Sequence, residues 1–277
     1  MRNFTPETLT EAVVARLSDC DNPRLKAVMT GLVRHLHAFV REVNLTEAEW
    51  FEGIQFLTAT GQKCDADRQE FILLSDVLGV SMMVDALNHG TPSGATESTV
   101  LGPFYIPGAP ELASDADIAH GSPGEPTAIS GRVLDATGKP IAGAVLDVWQ
   151  TATNGLYSIQ DPEQDRYNLR GRFRTGGDGR YAFRTVKPVS YPVPTDGPVG
   201  RILDAMGRHP HRPAHIHFIV SAPGYETLTT HLFANGDPYL DSDVVFAVKN
   251  SLVVDFAPTG DGTGLAAAYD FRLAPSA

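Results

Sequence analysis

The stretch AISGRVLDATGKPIAGAVLDVWQ, residues 128–150, decides the fold class. It reads as two strands joined by a turn that contains Gly138, Lys139 and Pro140. A second stretch, GRFRTGGDGRYAFRTV at 171–186, reads as a hairpin about Gly-Gly-Asp-Gly. Four more short strands are expected at AHIHFIVS (214–221), LTTHLFA (228–234), SLVVDF (251–256) and AYDFRL (268–273). Many short strands divided by turn signals argue for a β-sandwich, placed here at 127–277 and expected to hold the chemistry.

Upstream the period changes. Thr5-Pro6-Glu7 places a cap and a proline at a helix start. Leu25, Val28, Met29, Leu32, Val33, Leu36, Phe39 and Val40 form an i, i+3, i+4 stripe. TEAE (46–49) and DRQE (67–70) read as capping boxes ahead of apolar runs, the second ahead of FILLSDVLGVSMMV. About four helices are therefore expected across residues 1–90. Residues 91–126 are rich in Gly, Pro, Ser and Ala and read as an ordered linker. Within it VLGPFYIPGAPEL is too apolar to be free and is expected to be pinned against the following domain. The expected architecture is α+β by domain: a helical N-terminal region, then an all-β sandwich.

The chain has 277 residues and a formal charge of −11, with 42% hydrophobic and 20% charged residues. That length supports a sizeable core. The acidic balance argues against nucleic acid or an anionic membrane as partner. Two scattered cysteines, Cys20 and Cys64, fit a reducing compartment. No run has the apolar length of a membrane span, and the N-terminus lacks the features of a signal peptide. A cytoplasmic protein is expected.

The histidines carry the first chemical signal. Side chains two apart on a strand share a face, so His215 and His217 point the same way, with Cα atoms about 6.5–7 Å apart. Ile216, Phe218 and Val220 then face a core. His35 and His37 repeat the spacing on a helix, where i and i+2 do not face each other; they are expected at the surface or an interface. Two histidines do not complete a metal site, and a pair held by protein partners alone is the plain alternative. Zinc would want more thiolates or histidines nearby, and a facial triad would want a carboxylate closer than Glu226. Tyrosinate is the remaining oxygen ligand and suits iron(III). Tyr157 and Tyr191 lie in turn-like contexts, but Tyr167, Tyr181, Tyr225, Tyr239 and Tyr269 compete, and spacing does not choose among them.

NGLYSIQDPEQDRYNLRGRF (154–173), SYPVPTDGPVG (190–200) and HRPAHIHF (211–218), in that order, resemble the intradiol ring-cleaving dioxygenases. The resemblance extends over nearly the whole chain, LGPFY (101–105) included. It implies an iron(III) cofactor held by Tyr157, Tyr191, His215 and His217. Its substrates would be a small aromatic diol or triol and O2. Tyr191 would take a proton from the substrate, while Arg212 and His231 would stabilise the anionic ring. LLSDVLGVS (73–81) and TTHLFANGDPYLDSDVVFAVK (229–249) are similar to the branch acting on hydroxyquinol, 1,2,4-trihydroxybenzene. Catechol-cleaving members more often have Gln where His231 stands. Leu73, Asp76, Val77, Gly102, Pro103 and Arg212 match substrate-binding positions, with Asp76 placed to accept from a third hydroxyl. His211 departs from the family's usual Trp and would add a histidine near the iron. The resemblance also implies a homodimer through the N-terminal helices, with a bound phospholipid as a further feature. Competing readings are a catechol or chlorocatechol dioxygenase, a transthyretin-like binding module suggested by 131–150, and a zinc hydrolase.

Overall fold

The 128–150 stretch folds as an arch between two sheets, and so does 171–186. The computed structural model describes residues 2–90 and 94–276. It contains β1 (Pro126–Asp135), β2 (Val145–Trp149), β3 (Arg170–Arg174), β4 (Arg180–Val186) and the two-residue β5 (Tyr191–Pro192) and β6 (His211–Arg212). β7 (His215–Ser221), β8 (Leu228–Ala234), β9 (Val253–Val254), β10 (Ala257–Pro258), β11 (Leu265–Ala268) and β12 (Phe271–Leu273) follow. β1 pairs with β4, β11 and β12, whereas β2 pairs with β3 and β7. The two strands expected to form a hairpin therefore belong to different sheets, and β3 and β4 are parted in the same way.

The turns themselves form. Asp135 Oδ1 accepts from the backbone N–H of Thr137 and Lys139, at 2.8 and 2.9 Å. What overrides the hairpin is burial. Ile129 and Val133 of β1 pack in one cluster with Leu146 and Val148 of β2. Adjacent strands of one sheet would hold these side chains in a single layer and leave its apolar face bare; facing sheets bury both layers. Phe173 and Phe183 make the same point, their rings stacking at 5.1 Å from strands of opposite sheets. The sandwich core also takes Ile216, Phe218 and Val220, all fully buried, as the alternation along β7 requires. Phe104 and Ile106 in the preceding segment are buried too.

The helices are α1 (Leu9–Ala15), α2 (Pro23–Glu42), α3 (Glu47–Gln62), α4 (Glu70–Val77), α5 (Val80–Asn88) and α6 (Pro198–Ala205). The chain divides into two compact units between Ala59 and Thr60, so α4 and α5 belong to the unit that holds the strands. In the first unit α1 starts at Leu9, a turn later than the Thr5-Pro6 signal, because residues 6–8 form a turn in which Thr5 O accepts from the N–H of Thr8 and Leu9. The Thr46 box forms as read: Thr46 N donates to Glu49 Oε2 at 2.9 Å and Glu49 N to Thr46 Oγ1 at 3.3 Å. Leu25, Val28, Leu32, Leu36, Phe39 and Val40 of α2 are exposed in the single chain.

The second box does not form. Asp65, not Asp67, caps the turn by accepting from the N–H of Asp67 and Arg68. Glu70 turns inward, pairs with Arg68 at 2.8 Å and accepts from Val199 N at the start of α6. That long-range partner outcompetes the local one. The run expected as one helix breaks at Gly79, whose φ of +73° ends α4 and opens α5.

Candidate metal and active site

Three strands line up the imidazoles. The β2–β7–β8 register sets Trp149, His217 and His231 side by side on one face. The Trp149 indole stacks on His217 at 4.5 Å and 14°, which fixes that ring's plane. His215 Nδ1 lies 2.6 Å from Pro213 O. The carbonyl only accepts, so Nδ1 carries the proton and Nε2 presents a lone pair to the site. Thr99 Oγ1 is bonded to His231 Nδ1, while His231 Nε2 is buried without a partner. Among the described residues His215, His217 and His231 are the group of histidine, cysteine and acid side chains close enough to share an ion, with donor atoms within 4.8 Å of one another.

Two phenols complete the cluster. Tyr157 lies on the loop after β2, where Tyr157 N donates to Gln160 Oε1 at 3.0 Å and Ala152 N to Leu156 O at 2.9 Å. Gly155 in that turn has φ +81°, and a Cβ there would sit 3.1 Å from Tyr191 Cβ. Tyr191 is on β5, paired in register with Arg212 on β6. Tyr157 Oη is 2.8 Å from both Tyr191 Oη and His217 Nε2. Tyr191 Oη is 3.4 Å from His215 Nε2, and the two Nε2 atoms are 3.1 Å apart. The two tyrosines and the H-x-H pair thus present four donor atoms to one point, all buried. The other five tyrosines offered by the sequence do not join them.

Burial governs the protonation states. It lowers His215, His217 and His231 well below the ordinary imidazole value, with Arg212 acting in the same direction on each. All three are neutral and available as ligands. Burial raises the Tyr157 phenol well above its usual value, and Tyr191 is raised as well, although Arg212 opposes the shift there. Without a cation both phenols stay protonated; a bound cation removes the reason, as it does for any anionic ligand. Two neutral imidazoles and two ionisable phenols closing on one buried point fit a ferric ion.

A cleft opens beside the cluster. Leu73, Asp76, Gly102, Pro103 and Arg212 line it, together with Phe104, Val193 and Val245. Val77, expected among these, is fully buried, with its carbonyl accepting from Arg208 Nη1. Asp76 Oδ1 is buried with no partner, and burial lifts this carboxyl to about 6. Arg212 Nη1 lies 3.1 Å from His215 Nε2, and its other nitrogens bond Asp243. Burial works against its charge, but Asp243 and the phenols outweigh that and hold the guanidinium charged. His211 is turned away from the cluster, opposite to the expectation of a histidine beside the metal. It precedes Arg212 on a two-residue strand, so it takes the other face, and its ring stacks on Tyr239 at 4.6 Å.

The sequence reading missed Trp149, Thr99, Arg170 and Asp243. Arg170 is buried with its guanidinium 5.8 Å from the Tyr157 ring, and burial lowers it to about 10. It donates to Ser158 Oγ and Phe104 O. Arg170 opens the strand RGRFR, where two further arginines repeat at every second position, so no local signal singled it out. For Asp243, 31 residues beyond Arg212, no local signal exists.

Comparison with known proteins agrees with this geometry. Residues 100–275 match the family model described as dioxygenase, and residues 22–96 match the one described as catechol dioxygenase N terminus. The chain belongs to the intradiol ring-cleavage dioxygenases. Within that family it is 54% identical to a 6-chlorohydroxyquinol 1,2-dioxygenase of Cupriavidus pinatubonensis over 276 residues, the full length of both chains. It is 55% identical to a hydroxyquinol 1,2-dioxygenase of a Rhizobium species, over 93% of this chain and 88% of that one. A solved hydroxyquinol 1,2-dioxygenase from Pseudomonas putida superposes with a TM-score of 0.90 at 54% identity, covering 98% and 99% of the two chains. As an intradiol dioxygenase, the protein is an enzyme of aromatic ring cleavage, and no helix among the described residues is long and apolar enough to cross a membrane.

Proposed function

We propose that the protein is a hydroxyquinol 1,2-dioxygenase: it opens 1,2,4-trihydroxybenzene between its two adjacent hydroxylated carbons. Both atoms of O2 enter the product, 3-hydroxy-cis,cis-muconate. The observation that carries this reading is the convergence of Tyr157, Tyr191, His215 and His217 beside a cleft that holds Arg212 and the unpartnered Asp76 Oδ1. Tyr157, Tyr191, His215 and His217 would hold iron(III). When bound, the ion supplies Lewis acidity and a template for two neighbouring oxygen atoms of the substrate.

The chain's own groups do the rest. Tyr191 Oη, which would be ionised as a ligand of the bound cation, takes a proton from one substrate hydroxyl; burial raises this phenol, with Arg212 opposing, so it holds the proton once it has it. The Arg212 guanidinium faces the same point and stabilises negative charge spreading over the ring. His231 Nε2, free of protein partners, serves the same charge from the opposite strand. Leu73, Val193 and Val245 form apolar walls that hold the ring and exclude water. Asp76 Oδ1 accepts from the third hydroxyl. A substrate lacking that hydroxyl leaves a buried carboxylate oxygen unpaired, which disfavours catechol. The relatives at 54–55% identity named for hydroxyquinol substrates support the choice of ring.

The test is turnover of hydroxyquinol by iron-loaded protein under 18O2. Two labelled atoms in one ring-opened product are expected, with kcat/KM on hydroxyquinol above that on catechol. Faster turnover of catechol would transfer the assignment to that substrate, and absence of ring opening would remove it.

The exposed apolar stripe of α2 supports a homodimer through the N-terminal helices, where an acyl chain of a phospholipid would find an apolar lining. Light scattering after size exclusion should give twice the chain mass. The free thiols of Cys20 and Cys64 and the acidic charge support a cytoplasmic location.

A further inference from the structure

We infer that Asp243 is a positioning residue for ring cleavage: it locks the Arg212 guanidinium and the Val245 wall of the cleft into one rigid piece. The inference rests on the proposal that this cleft binds an aromatic diol.

Four hydrogen bonds end on this one carboxylate. Oδ1 accepts from Arg212 Nε at 3.2 Å and Oδ2 from Arg212 Nη2 at 3.3 Å. Oδ1 also accepts from Val245 N at 3.3 Å and Oδ2 from Ala247 N at 3.1 Å. The side chains of the pair are 5% and 2% exposed. A two-pronged contact fixes the plane of a guanidinium as well as its charge. Only Arg212 Nη1 is left to face His215 Nε2, at 3.1 Å. The same oxygens curl residues 243–247 into a tight loop that reaches a φ of +61° at Phe246 and puts Val245 on the cleft wall.

The loop is tied to the opposite wall as well. Arg208 donates Nη2 to Val244 O at 2.9 Å and Nη1 to Val77 O at the end of α4. That helix carries Leu73 and Asp76. Asp243 lies where the charged group that meets the substrate anion joins the apolar wall that sets the ring's place. A buried cation in this position needs a fixed counter-charge, because an unpaired one reorients or recruits water.

The experiment is a double-mutant cycle of Asp243→Asn and Arg212→Gln in iron-loaded protein. Anaerobic titration with 4-nitrocatechol, whose own absorption reports its ionised bound form, gives one readout; turnover gives the other. Asparagine keeps the shape and one accepting oxygen, but its NH2 group meets one guanidinium nitrogen and one backbone N–H of the loop. In the wild-type background Asp243→Asn should weaken 4-nitrocatechol binding about tenfold and lower kcat about a hundredfold, with iron content little changed and a cooperative folding transition retained at a lower temperature. In the Arg212→Gln background the same substitution should change both by less than threefold. Equal losses in the two backgrounds would overturn the inference, as would an unaltered kcat in Asp243→Asn. Loss of iron or of the folding transition in Asp243→Asn, not repaired by Asp243→Glu, would also overturn it in favour of a purely structural role. Failure of the wild-type protein to bind 4-nitrocatechol would instead strike the reading of the cleft itself, and the inference with it.

Discussion

The three-residue pattern His-x-His stands at 35–37, 209–211 and 215–217, and its first and last copies come to opposite ends. On β7 the rings of His215 and His217 lie 4.8 Å apart, both buried, their Nε2 atoms turned to one point. On α2 His35 is exposed, while His37 Nδ1 bonds Thr10 Oγ1 at 3.1 Å. A strand returns to the same face every second residue and a helix does not. The difference lies in the backbone period beneath the pattern, and in what the flanking strands of the same sheet add: Trp149 on one side of His217 and His231 on the other.

The comparison can be broken outright. His217→Ala and Tyr157→Phe should each abolish iron retention or leave a bleached protein, with activity down by more than about a thousandfold. His35→Ala should leave iron content and turnover within about twofold. Iron quantitation beside a turnover assay checks both, and equal effects at the two histidine pairs would dissolve the distinction.

A smaller loss is expected at Tyr191. Tyr191→Phe removes the proton acceptor, and kcat should fall roughly a hundredfold to ten-thousandfold, within the range of general-base contributions. Full activity in that variant would show that another group takes the proton.

Smaller again is the effect of the cleft's reading of the ring. Asp76→Asn should lower kcat/KM for hydroxyquinol by roughly ten- to a hundredfold, the size of one buried hydrogen bond to a charged partner, and spare catechol. Equal losses on the two substrates would remove Asp76 from substrate recognition.

The acid limb of that preference should follow the same carboxyl. Burial raises Asp76 from 3.8 to about 6. The ionised form accepts the stronger hydrogen bond, so the ratio of kcat/KM for hydroxyquinol over catechol should rise several-fold between pH 5 and 7. Stability moves the other way. The folded protein holds this proton more tightly than the unfolded chain, so the contribution is intact below about pH 4 and is lost as pH rises through about 6. Asp76→Asn should flatten both trends, read by pH-dependent kinetics and by denaturant unfolding.

Much of the fold was legible because it is local. LTTHLFA matches β8 residue for residue, and the Thr46–Glu49 box closes on itself. The apolar stripe of α2 follows directly from its period. What failed was pairing. Residues 128–150 and 171–186 look like hairpins, because a turn between two apolar strands has the same local signature whether the chain folds back or crosses to a facing sheet. Only the shared cluster of Ile129, Val133, Leu146 and Val148 decides it. The site divides in the same way. His215 and His217 declared themselves through spacing. The choice of Tyr157 and Tyr191 among seven tyrosines came from resemblance and not from geometry. Asp243 and Trp149 were invisible because their partners lie 31 and 68 residues away along the chain.

The most direct test of the central claim is the visible absorption spectrum of the purified, iron-loaded protein before and after anaerobic addition of hydroxyquinol. Ligation by Tyr157 and Tyr191 predicts a broad phenolate-to-iron(III) charge-transfer band, a red protein, and a change of colour when the substrate arrives. A protein that stays colourless after iron(III) is supplied would contradict the ligand set and the proposed chemistry together.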